Sequence, residues 1–125
     1  MPHLTIEYSA NLPHYPEAET LTALNAALCA HPQVQDEADL KTRFILADSF
    51  EIGIAPANRA FVHAQLRLLS GRTPEAKKEL SDLIAAVLRE RTPKPQGVMV
   101  QLSVEIVDMD PVSYTHLTLP TTPYV

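Results

Sequence analysis

The stretch Ala60-Phe-Val-His-Ala-Gln-Leu-Arg-Leu-Leu-Ser-Gly-Arg-Thr-Pro-Glu-Ala-Lys-Lys78 decides the fold. Its first ten residues set Ala60, Val62, Ala64, Leu66 and Leu68 at alternate positions, the period-2 pattern of a strand with one buried face. Ser70-Gly-Arg72 is a turn. Thr73 is a good helix N-cap, and Pro74 suits the first helical position, where its missing N–H costs nothing. Ala76, Leu80, Leu83, Ile84 and Val87 then recur at helical spacing to about Glu90, before Thr92-Pro-Lys-Pro95 stops the helix. Val98–Val107 reads as the next strand, which completes one strand–helix–strand unit.

The same order of elements precedes it. Leu4, Ile6 and Tyr8 alternate with His3, Thr5 and Glu7, giving a half-buried strand over residues 3–8. Asn11-Leu-Pro-His-Tyr-Pro16 is a loop. Leu21, Leu24 and Leu28, with Ala23 and Ala27 beside them, predict a helix from about Glu17 to Ala30, ended by His31-Pro32. Leu40–Ala47 is a second strand with Lys41, Arg43 and Ile45 on one face. Phe50–Ile54 predicts a short edge strand that Pro56 closes. The chain therefore holds two βαβ units, about 2–47 and 60–107, within one domain over residues 1–110. Parallel pairing inside each unit gives an α+β fold: a four-stranded mixed sheet with two helices on one face. Phe61 and Leu69 oppose Val62, Leu66 and Leu68, so the third strand reads as apolar on both sides. With helices for only one side, the other face is expected to be apolar over roughly several hundred Å² and covered by a partner chain.

Composition narrows the function. The 125 residues are 46% hydrophobic and 20% charged, enough for one modest core and too apolar for wholesale disorder. A net charge of −5 argues against an electrostatic grip on nucleic acid. No apolar run approaches the ~20 residues of a membrane span, and Met1-Pro-His-Leu-Thr-Ile-Glu7 lacks the basic start and apolar stretch of a signal peptide. Cys29 is the only cysteine, so no internal disulfide forms, and it reads as packing on the first helix. Three glycines cannot build a phosphate loop of the usual kind, and no spacing among the histidines and carboxylates forms a metal signature. A cytoplasmic protein working without metal or cofactor is the expectation.

Three residues stand out chemically. Removal of Met1 before the small Pro2 would leave a secondary amine at the chain's start, on a strand that runs straight into the core. An ordinary α-amine titrates at about 7.7–8.0, and burial or a nearby guanidinium lowers that towards the range a general base needs. Arg43 on the second strand and Arg72 at the turn into the second helix are suited to two-pronged carboxylate binding, which points to a dianionic substrate. Against this, each arginine is also compatible with a solvated surface position, and a Met-Pro start alone is common. Phe50 reads as an apolar wall of the pocket or as core filler. His3 and His63 read as packed strand histidines rather than ligands.

Met1-Pro-His-Leu-Thr-Ile-Glu7, Arg43, Ala60-Phe-Val-His-Ala-Gln-Leu66 and Gly71-Arg-Thr-Pro-Glu-Ala-Lys-Lys78 resemble 5-carboxymethyl-2-hydroxymuconate Δ-isomerase, of the tautomerase superfamily that includes 4-oxalocrotonate tautomerase and macrophage migration inhibitory factor. The resemblance covers nearly all of residues 2–110. It implies a homotrimer of two-βαβ subunits and isomerisation of a 2-hydroxymuconate-type acid in aromatic catabolism. It also implies Pro2 as base, with Arg43 and Arg72 binding and polarising the substrate. The family position at Lys41 also holds arginine; lysine keeps the charge and loses the planar fork. Phe50 and Lys41 join the arginines as expected substrate-binding residues. Two further readings remain: another tautomerase reaction such as keto–enol exchange of an arylpyruvate, and a non-catalytic trimeric scaffold. A free prolyl terminus with two arginines favours the enzyme.

The segment 111–125 stands apart. Val112-Ser-Tyr-Thr-His-Leu-Thr-Leu-Pro-Thr121 looks like one reading frame of the transposon-end adaptor used in DNA library preparation, and Pro111 and Thr122 fit the bases flanking it. His116 belongs to this segment and carries no expectation. The native reading is expected to end near Asp110, with read-through after it. Resequencing the source DNA with adaptor trimming should remove these codons; recovering them from an untagged clone would show the segment to be native.

Overall fold

A computed structural model describes residues 1–121. Its elements are β1 (His3–Ser9), α1 (Glu17–Cys29), a 3-10 turn (Glu37–Asp39), β2 (Lys41–Ala47), β3 (Arg59–Leu69), α2 (Pro74–Arg91) and β4 (Met99–Met109). The four strands form one sheet in the order β2-β1-β3-β4. β1 runs parallel to β2 and β3 parallel to β4, while β1 and β3 meet antiparallel at the centre. The fold is α+β with two helices and a mixed sheet, as the periodicities require.

Alternation divides the sheet cleanly. Leu4 and Ile6 of β1 pair across the central seam with Leu66 and Ala64 of β3, and all four are fully buried. Leu24 and Leu28 of α1 and Leu80, Ile84 and Leu88 of α2 complete the same core. α2 begins as its sequence demands: Pro74 occupies the first turn, and the Ala76 N–H donates to Thr73 Oγ1 at 3.1 Å. α1 lacks a side-chain cap, and Thr20 Oγ1 instead donates to the Pro16 carbonyl at 2.7 Å.

Two expectations are corrected. Phe50–Ile54 is not a strand. Gly53 turns the chain at φ +68°, and Arg59 Nη1 donates to the Ile52 carbonyl at 3.1 Å, so the segment folds back as a loop with Ile54 at full exposure. The helix-free face, moreover, is not apolar at its centre. His63, Gln65 and Arg67 lie between Phe61 and Leu69 on β3, opposite Glu7, Thr5 and His3 of β1. The two apolar residues at the strand's ends do not speak for its middle, so that face gives no apolar ground for a partner.

After β4 the chain turns at Asp110, whose carbonyl accepts from the Ser113 and Tyr114 N–H groups at 3.2 and 3.1 Å. Val112, Leu117 and Leu119 are 92%, 76% and 81% exposed, while the Tyr114 hydroxyl meets His3 Nε2 at 3.0 Å. The remainder of the expected read-through, residues 122–125, lies outside the described residues. No described helix is long and apolar enough to cross a membrane.

Thr73 both caps α2 and follows Arg72, so its loss loosens the turn that carries that arginine. Thr73→Ala should lower unfolding free energy by about 1 kcal/mol, measured as a shift of the urea midpoint at fixed protein concentration, with Thr73→Ser largely restoring it. An unchanged midpoint would remove the cap from the account.

Candidate active site

The parallel register of β1 and β2 sets His3 against Lys41, and the Lys41 N–H donates to the Pro2 carbonyl at 3.1 Å. Pro2 is thereby fixed and buried beside the segment that precedes β2. Met1 and Pro2 line a cavity of about 220 Å³ with Gln33, Val34, Gln35, Asp36, Asp39 and Arg72. Arg72 arrives from the other half of the chain, immediately after Gly71, whose φ of +118° suits only glycine. Its Nη1 donates to the Leu69 carbonyl at 2.7 Å, which anchors the guanidinium. Its Nε is buried and has no hydrogen-bond partner. Leaving such a donor unsatisfied costs about 1–3 kcal/mol.

The electrostatics of this end favour a free amine. Burial, above all, pulls the chain's α-amine below its ordinary 8.0; Asp39 opposes that shift, and Lys41 and Arg72 reinforce it. His3 is likewise pushed down, first by burial and then by Lys41, Arg43, the terminal amine and Arg67. At the far end of β1 the shift runs the other way. Burial and its hydrogen bond to Glu17 push the Tyr8 hydroxyl up to about 12.

Within one chain, Pro2, Arg72 and Lys41 come together, and Arg43 and Phe50 lie elsewhere. Lys41 stands beside the terminus, with Nζ donating to the Asp39 carbonyl. Arg43 projects from the helix-free face, where Nη2 meets His3 Nδ1 at 3.4 Å, and it lines a separate cavity of about 340 Å³. Phe50 packs its ring edge-on to Phe61, with centroids 6.2 Å apart, beside a third cavity by Arg59. His63 is a hydrogen-bonded strand residue, bridging Ser103 Oγ at 2.7 Å and Glu105 Oε2 at 2.6 Å. Among the described residues no group of three or more His, Cys, Asp or Glu side chains is placed to hold a metal ion.

Sequence reasoning missed Gln33, Gln35, Asp36 and Asp39 in the Pro2 cavity, and Arg67 beside Arg43. The parallel β1–β2 pairing was the available signal for Asp39, because it brings the residues just before β2 to the chain's start. Alternation along β3 likewise set Arg67 on the face of Arg43. A further cavity of about 520 Å³ lies between α2 and β4 among Leu88, Val98, Val100, Leu102 and Val104, with Arg89 and Lys94 at its lining.

The model of the 5-carboxymethyl-2-hydroxymuconate isomerase family matches residues 2–119. Among solved structures, a 5-carboxymethyl-2-hydroxymuconate isomerase from Deinococcus radiodurans R1 is 29% identical, with TM-score 0.83 over 94% of this chain and 90% of that one. A 5-carboxymethyl-2-hydroxymuconate delta-isomerase shares the fold at 22% identity and TM-score 0.83, over 94% and 89% of the two chains. A fused 4-OT described as a symmetric trimer shares it at 21% identity and TM-score 0.56, over 86% and 85%. No curated protein matches the chain.

The α-amine of the chain retaining Met1 should titrate below 8.0. Removing a neighbouring cation relieves repulsion of the protonated form, so Lys41→Ala and Arg72→Ala should raise that pKa, and Asp39→Asn should lower it. The pH dependence of α-amine carbamylation by cyanate reads all three. A midpoint at or above 8.0, unmoved by the variants, would contradict this electrostatic picture.

Proposed function

The chain belongs to the 5-carboxymethyl-2-hydroxymuconate isomerase family, and from that premise we propose an isomerase that moves a proton along a conjugated 2-hydroxymuconate-type dienol acid, with Pro2 as its general base. The observation that carries this reading is the shared cavity of the chain's start and Arg72. Once Met1 is removed, Pro2 presents a secondary amine there, and the burial and cations that depress the Met1 amine act on it too. Unprotonated, it takes the proton of the substrate's 2-hydroxyl; the O–H electron pair becomes the carbonyl, and the displaced π pair takes a proton from the prolinium at the far carbon. Nothing is lost or gained over the cycle, which is what an isomerisation requires. Arg72 holds a substrate carboxylate through its guanidinium, where charge-assisted pairing is strongest.

Lys41 enters this reading as a substrate group beside Pro2 of its own chain, whereas Arg43 and Phe50, which line other cavities of their own chain, enter it as groups that meet substrate bound in a neighbouring copy. That arrangement calls for a homotrimer. Support for assembly comes from the helix side of the edge strand β4, where Val98, Val100, Leu102 and Val104 are only half-buried along the α2–β4 cleft.

Pro2→Ala should lower kcat by about 10²–10⁴ while leaving measurable turnover, since alanine supplies a primary amine of different basicity. Arg72→Ala should lower kcat/KM about 10–100-fold, chiefly through KM. The rate should rise with pH as the amine deprotonates and level off beyond its lowered pKa. Steady-state kinetics on 5-carboxymethyl-2-hydroxymuconate and on phenylpyruvate test these values; preference for phenylpyruvate would move the assignment to arylpyruvate tautomerisation, and unaltered kinetics in both variants would refute the mechanism.

A further inference from the structure

We propose that the helix-free face carries a second anion site, built from Arg43 and Arg67, that binds a small dicarboxylate. The sheet register puts Lys41, His3 and Arg67 in one row across β2, β1 and β3, with Arg43 in the next row beside Thr5 and Gln65. Lys41 and Arg43 on β2 and Arg67 on β3 thus flank β1 on one face of the sheet. Among the described residues no carboxylate forms an ion pair with Lys41, Arg43 or Arg67. The carboxylates nearest in register are Glu7, which lines the cavity, and Glu105, which is already paired with His63.

The cavity between these residues is about 340 Å³ and includes Arg43, Arg67, Thr5 and Gln65 in its lining. That volume suits a small organic ligand. Two guanidinium forks take two carboxylates or one bidentate group, while the Thr5 hydroxyl and Gln65 amide add neutral donors. His3 accepts from Arg43 through Nδ1, which orients that guanidinium. Burial and the surrounding cations favour the neutral ring that can accept in this way. Glu7 and Ile45 occupy the other part of the lining and direct the ligand's charge towards the arginines. The ligand class is shared with the proposed substrate, and to that extent the site rests on the isomerase reading. Its source is either the substrate's own carboxylate arm or a separate dicarboxylate.

Calorimetric titration with adipate in an Arg72→Ala background, where the Pro2 cavity has lost its guanidinium, tests the site without any turnover. Binding should be saturable, should weaken by on the order of tenfold on adding Arg67→Gln, and should tighten severalfold on adding Glu7→Gln. Circular dichroism confirms that each variant is folded. Competition by adipate against turnover in the unsubstituted enzyme, with a raised KM in Arg67→Gln, assigns the site to the substrate's arm; binding without competition assigns it to a separate dicarboxylate. No binding in the Arg72→Ala background, or equal binding with folded Arg67→Gln and Glu7→Gln, overturns the proposal. Loss of catalysis in Pro2 variants leaves the titration unaffected, so failure of the isomerase reading is distinguishable from failure of this site.

Discussion

The antiparallel pairing of β1 with β3 is the constraint on which the rest depends. Leu4, Ile6 and Tyr8 face Leu66, Ala64 and Val62 across it, all on the side that the helices cover. Because side-chain direction alternates along a strand, a slip of one residue in either strand would turn its half of the core towards solvent. The seam therefore fixes both βαβ halves at once. Each half supplies one helix to the shared layer, and neither half could bury its own sheet surface alone.

The same registers assemble the chemistry. β1 and β2 start together, so the chain's first residues lie against the loop that delivers Asp36 and Asp39. β3 runs back along β1, so the turn after β3 brings Arg72 to that same end. Pro2 and Arg72, about 70 positions apart in sequence, are neighbours because of strand direction alone. Meanwhile the odd-numbered positions of β1, β2 and β3 gather cations on the opposite face. The molecule thus places arginines in two separate cavities, one at the chain's start and one on the helix-free face, even though its net charge is negative.

Both helices and all four strands were legible in the sequence, because each is long enough for its period to repeat several times. Phe50–Ile54 was misread because five residues give too short a pattern to outweigh Gly53, which turns the chain, and the Arg59 contact that holds it folded. The supposed two-sided apolar character of β3 rested on Phe61 and Leu69 at its ends, whereas His63, Gln65 and Arg67 decide the face. Pro2 and Arg72 could be singled out by residue type and context. Their proximity, the orphaned Arg72 Nε and the separation of Arg43 from Pro2 could not, since these are properties of register and of turns. The family resemblance anticipated the family match over residues 2–119.

The account's central claim is that the nitrogen of Pro2, and not merely an amine near Arg72, is the base. It is tested most directly by comparing two preparations of the unsubstituted chain, verified by intact mass: one with Met1 removed and one with Met1 retained. In the retained form the Pro2 nitrogen is a non-basic amide, while the fold and Arg72 are unchanged. The account predicts that the processed form turns over 5-carboxymethyl-2-hydroxymuconate about 10²–10⁴ times faster. Equal rates in the two forms would contradict it.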